Sequence, residues 1–425
     1  MDKLTKIWSY KDLRNKILLT LGLLLITRIF AHIPLPGVNL EALKSFFDKN
    51  QIFGLLNMFS GGSMSNFSII MMGVGPYITS SIIFQLLGMV IPKLEELQKE
   101  GESGQQTITQ YTRLLTVPLA FMQGYAMLVL LKNQNIIPAW NVGQLLVTLL
   151  VITAGTILLM WIGEIITEKG VGNGLSLIIT IGILAGLPTQ FRNTLSLLNT
   201  GSTTQIIALL GFAALALAVI VAIIYINEGQ RNLPVTYARK ARMGETMMSG
   251  VDTVLPIRVN AAGVIPIIFG MSIMIFPGVI AKFFQSAKSV VIANAATSVE
   301  RFFNNQLYYG IIYFILIFAF TYFYTSVVFH PDRVAENLQK QGGFIPGLRP
   351  GNETANYLQK IISRLTFVGG LFLAVIAILP FILQSSTKVK TISIGGTGIL
   401  IIISVILETY RQINSQLSVH TYDHY

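Results

Sequence analysis

Apolar segments close to bilayer length recur along this chain of 425 residues and constrain its fold more than any motif does. A helix needs about 20 apolar residues to cross the hydrocarbon core. Charged residues make up 12% of the chain, against about 25% in a soluble domain. The sequence therefore predicts an all-α polytopic membrane protein with ten transmembrane helices. The ten segments are residues 17–33, 69–91, 114–131, 142–162, 175–185, 206–226, 264–283, 309–329, 365–383 and 392–407.

The basic residues predict which side each loop occupies. When alternate loops are assigned to the cytoplasm, beginning with the N-terminus, those loops and the two termini hold 20 of the 30 Lys and Arg residues. This bias agrees with the positive-inside rule. Residues 17–33 follow five basic residues, and no small-residue cleavage site comes after them, so we interpret them as an uncleaved first span. Both termini are expected in the cytoplasm.

Residues 53–87 indicate an enclosed path through the membrane. Their first part is too short to span a bilayer and is broken by Gly61 and Gly62. The apolar segment that follows opens with Gly73, Gly75 and Pro76. Irregular backbone at membrane depth is tolerated only where protein shields it or where it lines a cavity. This stretch therefore favours a segment that dips into the protein beside a pore.

Isoleucine pairs on two segments suggest how such a path could be closed. Ile78 and Ile82 lie one helical turn apart, and so do Ile179 and Ile183, so that each pair shares a helix face. Such residues commonly face lipid or pack in a core. A hydrophobic constriction that gates by dewetting would use the same residue type.

The chain offers no constellation for catalysis. It has no cysteine and no HExxH motif, and its four histidines avoid the centres of the apolar segments. Ionisable groups in the membrane usually mark proton or ion pathways. Arg28 and His32, near the outer end of the first span, are the nearest candidates, and we expect them to snorkel or to bond loop carbonyls. No enzyme activity and no cofactor are predicted, and no GxxxxGK[ST] motif is present, so energy would come from a partner.

Two long loops on the predicted cytoplasmic side, residues 227–259 and 330–364, combine basic residues with Gly and Pro. One interpretation is that their charges only set topology. The other is a docking surface for a large, partly anionic partner such as ribosomal RNA or an acidic protein groove. Both interpretations stay open, and electrostatics alone does not choose between the two kinds of partner.

Seven segments, taken together and in order, are highly specific. They are NMFSGGSMSNFSI (57–69), GVGPYITSSIIFQLL (73–87), EGESG with QYTR (100–104 and 110–113), GVGNGLSLII (170–179), VNAAGVIPIIF (259–269), PGLRPG (346–351) and GGTGILI (395–401). With them the chain resembles the SecY family of protein-conducting channels along nearly its whole length. Loop 2/3 departs from the family pattern, because Gln105, Gln106 and Thr107 stand where the family usually has basic residues.

The resemblance implies a clamshell of two pseudo-symmetric, inverted halves around a central pore. Residues 1–190 and 206–425 would form the halves, hinged at an external loop, residues 191–205. Spans 2 and 7 would form a lateral gate. Residues 57–67 would be a plug helix, with Asn57, Gly61, Gly62, Ser63 and Phe67 as its site residues. The implied pore ring is Ile78, Ile82, Ile179, Ile183, Ile268 and Ile401.

The resemblance also implies partners and a location. Arg239, Lys240, Arg242 and Arg349 would dock a SecA motor ATPase or a ribosome, including its RNA. SecE-like and SecG-like membrane subunits, signal sequences, nascent polypeptides and anionic lipids are the other expected partners, in a bacterial cytoplasmic membrane. The predicted function is a passive, gated channel that translocates unfolded polypeptides and releases transmembrane segments laterally. The alternative is a ten-span secondary transporter of a small solute, for which a broken helix at the midplane would also be expected.

Overall fold

The computed structural model describes residues 8–49, 54, 56–57, 60–138, 140–196, 203–237, 242–243, 246–247, 251–285, 289–387 and 396–422. Most of this chain is helical. The helices of the first half are α1 (Lys11–Phe30), α2 (Leu40–Lys49), α3 (Gly75–Val90), α4 (Pro92–Lys99), α5 (Glu102–Asn133), α6 (Val142–Lys169) and α7 (Gly174–Ser196). Those of the second half are α8 (Thr203–Glu228), α9 (Ile265–Phe284), α10 (Val290–Asn304), α11 (Gln306–Val328), α12 (Pro331–Lys340), α13 (Asn352–Thr387) and α14 (Gly396–Tyr422).

A small β-structure follows α8, where the sequence predicted only a loop. Strands β1 (Gln230–Tyr237) and β4 (Val251–Arg258) form an antiparallel pair along their full length. The short strand β5 (Gly343–Phe344), from the other long loop, adds to the free edge of β1. Strands β2 (Arg242–Met243) and β3 (Thr246–Met247) pair with each other. The two long loops therefore fold together as one unit.

The structure confirms a polytopic helical fold. Within the described residues, four helices are long and apolar enough to cross a membrane, and a pair bent by 107° forms a fifth candidate. The four are Glu102–Asn133, Val142–Lys169, Leu307–Lys340 and Asn352–Ile382, and the bent pair is Gly75–Val90 with Pro92–Gln98. Shorter apolar helices are Gly174–Thr189, Ala213–Glu228 and Ile265–Met274. The count of ten spans stays a prediction.

Several helices have bounds that differ from those of the predicted segments. The second segment becomes helical only at Gly75, because the residues before it, from 60 to 74, form turns. Gly73, near the end of these turns, has a φ of +58°. Helix α7 continues through Pro188 to Ser196, so the expected hinge loop, residues 191–205, is partly helical, and its residues 197–202 lie outside the described chain. The loop at residues 330–364 is mostly helix, formed by α12 and the start of α13.

The two predicted halves meet along two seams. On one seam, α3 and α5 contact α9. On the other, α7 and α1 contact α14, and the backbone N–H of Gly172 donates a 2.7 Å hydrogen bond to Oε1 of Gln412. The division into halves and their inverted symmetry stay predictions. The seams nevertheless define two places where the halves could separate.

Candidate functional site: a plugged apolar constriction

Residues 60–67, within the predicted plug, form consecutive turns and not the expected helix. Gly61 and Gly62 have φ values of +68° and +80°, which an α-helix does not allow. Local side chains also bond the backbone: the hydroxyl of Ser63 donates to the carbonyl oxygen of Ser60, and Oδ1 of Asn57 accepts from the N–H of Ser65. Serine and asparagine commonly compete with helical hydrogen bonds in this way. The segment is thus a compact turn structure.

The C-terminal end of the predicted plug is fixed to the chain that follows α1. The N–H of Leu35 donates a 2.8 Å hydrogen bond to the carbonyl of Phe67, and the N–H of Ile69 donates to the carbonyl of Ile33. The side chain of Phe67 is fully buried, and its ring centroid lies 6.2 Å from that of Trp140. Phe67 is therefore an anchor residue, which the sequence did not distinguish from the rest of the plug.

Arg28 contacts the middle of the plug. Its Nη1 donates a 2.9 Å hydrogen bond to the carbonyl oxygen of Gly61. Nδ1 of His32 lies 2.8 Å from the carbonyl oxygen of Arg28. Arg28 thus bonds a loop carbonyl, as expected, whereas His32 contacts a carbonyl of the helix that precedes it, α1.

Five of the six predicted ring residues share one apolar cluster, the central cluster. Ile179, Ile183, Ile268 and Ile401 are buried in it, and Ile78 packs against it from α3. These residues come from α3, α7, α9 and α14, which lie on both sides of the two seams. Their distance apart in sequence explains why only a resemblance, and no spacing, could group them.

Ile82, the sixth predicted ring residue, lies in a separate cluster between α3 and α9. It is buried with Phe269 and Phe320, and Ile78 also packs against this group. The rings of Phe269 and Phe320 meet edge to face, with centroids 6.1 Å apart. We name this group the α3–α9 cluster. It lies in the seam between α3 and α9, where the resemblance implies a lateral gate.

A small cavity of about 70 Å³ separates the plug from the ring. Ser60 and Met64 of the predicted plug line it together with Leu56, which lies just before the plug, and Ile78, Ile179 and Ile268 of the predicted ring line it on the other side. Leu56 and Met64 were missed by the sequence analysis, because an apolar residue in an apolar stretch carries no signal of what it faces. The predicted plug thus faces the predicted ring across this cavity.

The predicted docking loops form a folded surface. Buried residues of β1, β4, α12 and α13, with Ile345 just after β5, form an apolar cluster around the β1–β4 hairpin, which we name the hairpin cluster: Leu233, Val235, Ile257, Leu338, Ile345, Leu358, Ile361 and Ile362. At its edge, Arg349 is exposed in a turn between Gly347 and Gly351, whose φ values are +84° and +102°. The hydroxyl of Thr354 donates to the carbonyl of Arg349 and holds this turn. On neighbouring α12, Nζ of Lys340 pairs with Oε1 of Glu336 at 2.7 Å.

The other predicted docking residues are less well defined. Arg239 and Lys240 lie outside the described residues, and only the backbone of Arg242, in β2, is described. Gln105 and Gln106 are exposed in the first turns of α5. Their exposure is consistent with a contact surface that lacks charge at this loop.

Asparagines at the base of the hairpin form a polar link that the sequence did not reveal. Nδ2 of Asn260 donates to Oδ1 of Asn227, and Nδ2 of Asn227 donates to the hydroxyl of Ser404, each at 2.7 Å. Arg411 donates to the carbonyl of Asn227 and pairs with Glu228 at 2.8 Å. The hairpin is therefore tied to α14, the helix that carries Ile401. Among the described residues, no group of His, Asp and Glu side chains could hold a metal ion.

Together these features define a class: a polytopic helical membrane protein in which a turn segment is inserted beside a central apolar cluster. The chain belongs to the SecY family, whose model matches residues 68–410. The protein translocase subunit SecY of Halalkalibacterium halodurans is 45% identical, with 99% of this chain and 98% of that protein covered.

Solved structures show the same fold. One is a SecY protein whose plug domain stabilises the closed state of the translocation channel and maintains a membrane seal; the TM-score is 0.62 at 18% identity, with 94% of this chain and 91% of that chain covered. Another is Sec61 in a canine ribosome–channel complex from the endoplasmic reticulum, with a TM-score of 0.63 at 17% identity and the same coverage. These findings support a channel and give no support to the alternative of a solute transporter.

Proposed function

We propose that this chain is the channel-forming subunit of a bacterial protein translocase, which passes unfolded polypeptides across the cytoplasmic membrane. The observation that carries the proposal is the plug segment facing an apolar ring across a small cavity, in a chain of the SecY family. A polypeptide would displace the plug, and the isoleucine side chains would pack around it. Such side chains seal by excluding water and ions without binding any particular sequence.

Reconstitution tests this function. The purified chain, with a small SecE-like subunit, would be placed in vesicles with a SecA-type motor, ATP and an unfolded secretory precursor. We expect precursor to become protected from added protease, because it reaches the vesicle lumen. The ATP-free reaction is the control. Precursor that stays fully digestible with ATP present would contradict the proposal.

The α3–α9 seam would serve as the lateral gate. Its contacts are apolar and aromatic, so an apolar signal sequence or transmembrane segment can replace them with similar contacts. Opening there would expose the channel interior to lipid. The topology that accompanies this proposal has both termini in the cytoplasm, with the β-structure and Arg349 on the same side.

The hairpin surface would bind the motor or the ribosome, and SecG-like subunits and anionic lipids would complete the assembly. Arg349 stands on a rigid turn, where its planar guanidinium can make two parallel hydrogen bonds to a carboxylate or phosphate. Lysine presents a single point charge and is a poor substitute at such a site.

We predict that Arg349→Glu abolishes motor-driven translocation, since it replaces attraction by repulsion. Arg349→Lys should retain only part of the activity. Protease protection in the reconstituted system measures both. Lys340→Glu is the matched control, because it reverses a neighbouring exposed charge that already has a partner. Equal translocation by Arg349→Glu and the unaltered chain at physiological salt would exclude this docking role.

A further inference from the structure

We propose that Arg28 is the latch of the plug: its guanidinium holds the closed position through the carbonyl of Gly61, and its release sets the threshold for opening. This inference rests on the proposed channel function. It assigns a positioning role to one cation in α1, outside the ring and outside the plug itself.

The hydrogen bond from Arg28 to Gly61 has few competing acceptors. Its Nη1 lies 2.9 Å from the carbonyl oxygen of Gly61, in a partly buried site. Within the described chain, no carboxylate forms an ion pair with Arg28. A partly desolvated cation needs a partner, and hydrogen bonds from a charged group are stronger than neutral ones. The plug carbonyl is therefore a principal partner of this charge.

The plug is seated at the same point against α7. A Cβ atom built on Gly61 would lie 2.6 Å from Cα of Gly182 and 2.7 Å from Nη1 of Arg28. The backbones of the plug and α7 are thus in direct contact one residue before Ile183, which belongs to the central cluster. Only glycine allows both this approach and the φ of +68°. Arg28 and Gly182 together form a seat for Gly61.

The other end of the plug provides a hinge. Residues 67 and 69 are bonded to residues 35 and 33, and the ring of Phe67 is buried beside Trp140. The part beyond this anchor, up to Gly61, is held by the seat, by Met64, which is buried in an apolar cluster with Leu43 and Met127, and by a weaker contact from Nδ2 of Asn66, 3.4 Å from the carbonyl of Ala31. A flap that is fixed at one end and latched at the other has two discrete positions.

Loss of the latch should shift the population of these positions. Removal of one charge-assisted hydrogen bond changes an equilibrium by about tenfold or more. The open flap should therefore be about tenfold more populated in a variant without the guanidinium, and a substrate should need less binding free energy to open it.

Arg28→Met tests the latch, because methionine keeps an unbranched side chain but has no donor. The reporter is Ser60→Cys, whose native side chain lines the cavity, in a chain without other cysteines. We expect its alkylation by a polar maleimide to become about tenfold faster in Arg28→Met. Arg28→Lys, which keeps a cationic donor, should restore part of the protection. Arg14→Met removes a charge from the other end of α1 and is the control.

A second measurement separates unlatching from damage to the fold. A crosslink between cysteines at Ser60 and Met271, which both line the cavity, should return the resting ion conductance of Arg28→Met to that of the unaltered channel. A leak that survives the crosslink, or equal alkylation in Arg28→Met and Arg14→Met, would overturn the latch. Failure of protease protection in every variant, with fast alkylation in Arg28→Met, would instead overturn the channel function and leave the latch standing.

Discussion

At the scale of single residues, the proposed seal would depend on side-chain volume. Ile401 and Ile183 are almost completely buried in the central cluster, and Ile78 reaches the same cluster from the facing helix α3. Isoleucine at such positions excludes water because its branched, apolar side chain offers no hydrogen-bonding group. The proposed ring would therefore act through the volume of its apolar side chains and not through any reactive group.

We predict that Ile78→Ser combined with Ile401→Ser raises the resting ion conductance of the reconstituted channel. Shorter, polar side chains at two points of the constriction admit water, and ions follow. Planar-bilayer current measures the effect. Leu371→Ser, an exposed apolar position on α13, is the control and should leave the current unchanged. A double variant as tight as the unaltered channel, at equal protein density, would show that these isoleucines do not form the seal.

At the scale of elements, the plug is an irregular segment between two regular helices. Several of its hydrogen bonds are internal, through Ser60, Ser63 and Asn57, and the bond from Arg28 to Gly61 links the segment to α1. The internal bonds would keep the turns folded if the segment moved, so that only the few bonds to the rest of the chain would have to break.

We predict that cysteines at Ser60 and Met271 crosslink with a short bifunctional reagent in the resting channel. The crosslink should be lost when a translocating polypeptide is stalled inside, because the plug then leaves the ring. Cysteines at Pro34 and Ser68, which are paired across the anchor, are the control and should crosslink in both states. Unchanged crosslinking of the Ser60–Met271 pair around a stalled chain would contradict plug movement.

At the scale of the whole molecule, the two seams differ in chemistry. The α3–α9 seam is closed by apolar side chains, whereas the α7–α14 seam also contains the hydrogen bond between Gly172 and Gln412. Apolar contacts are non-directional and can be exchanged for contacts with another apolar segment. The first seam is therefore the one suited to open, and the second is suited to act as the hinge side.

We predict that a covalent bridge between cysteines at Ile82 and Phe269 prevents release of a transmembrane segment into lipid. The control is a bridge between cysteines at Leu177 and Thr409, whose side chains both lie about 3 Å from the position of a Cβ atom built on Gly172. This bridge should have little effect on release, because it crosses the seam on the hinge side. Membrane insertion of a model segment, scored by resistance to carbonate extraction, measures both. Normal insertion through the first bridged channel would exclude the α3–α9 seam as the exit.

The hydrophobic pattern of the sequence determined the class of this protein and the existence of its main apolar helices. A chain with so few charges must place long helices in lipid, where every backbone group needs an internal partner. Gly61 and Gly62 also predicted an irregular segment, and the position of Arg28 predicted a hydrogen bond to a carbonyl. Each of these conclusions depends on local composition, which the sequence states directly.

The tertiary structure alone decided which distant residues meet. Ile78 and Ile401 are more than 300 positions apart, and nothing in either local pattern shows that both reach one cluster. The same holds for Gly61 against Gly182, for Ile82 beside Phe269, and for Asn227 with Ser404. In a helical membrane protein many helix faces are apolar, so periodicity cannot separate a face that meets lipid from one that meets protein. Only the packing of the helices makes that distinction. The packing also decides where the seat of Gly61, the proposed seal and the two seams lie.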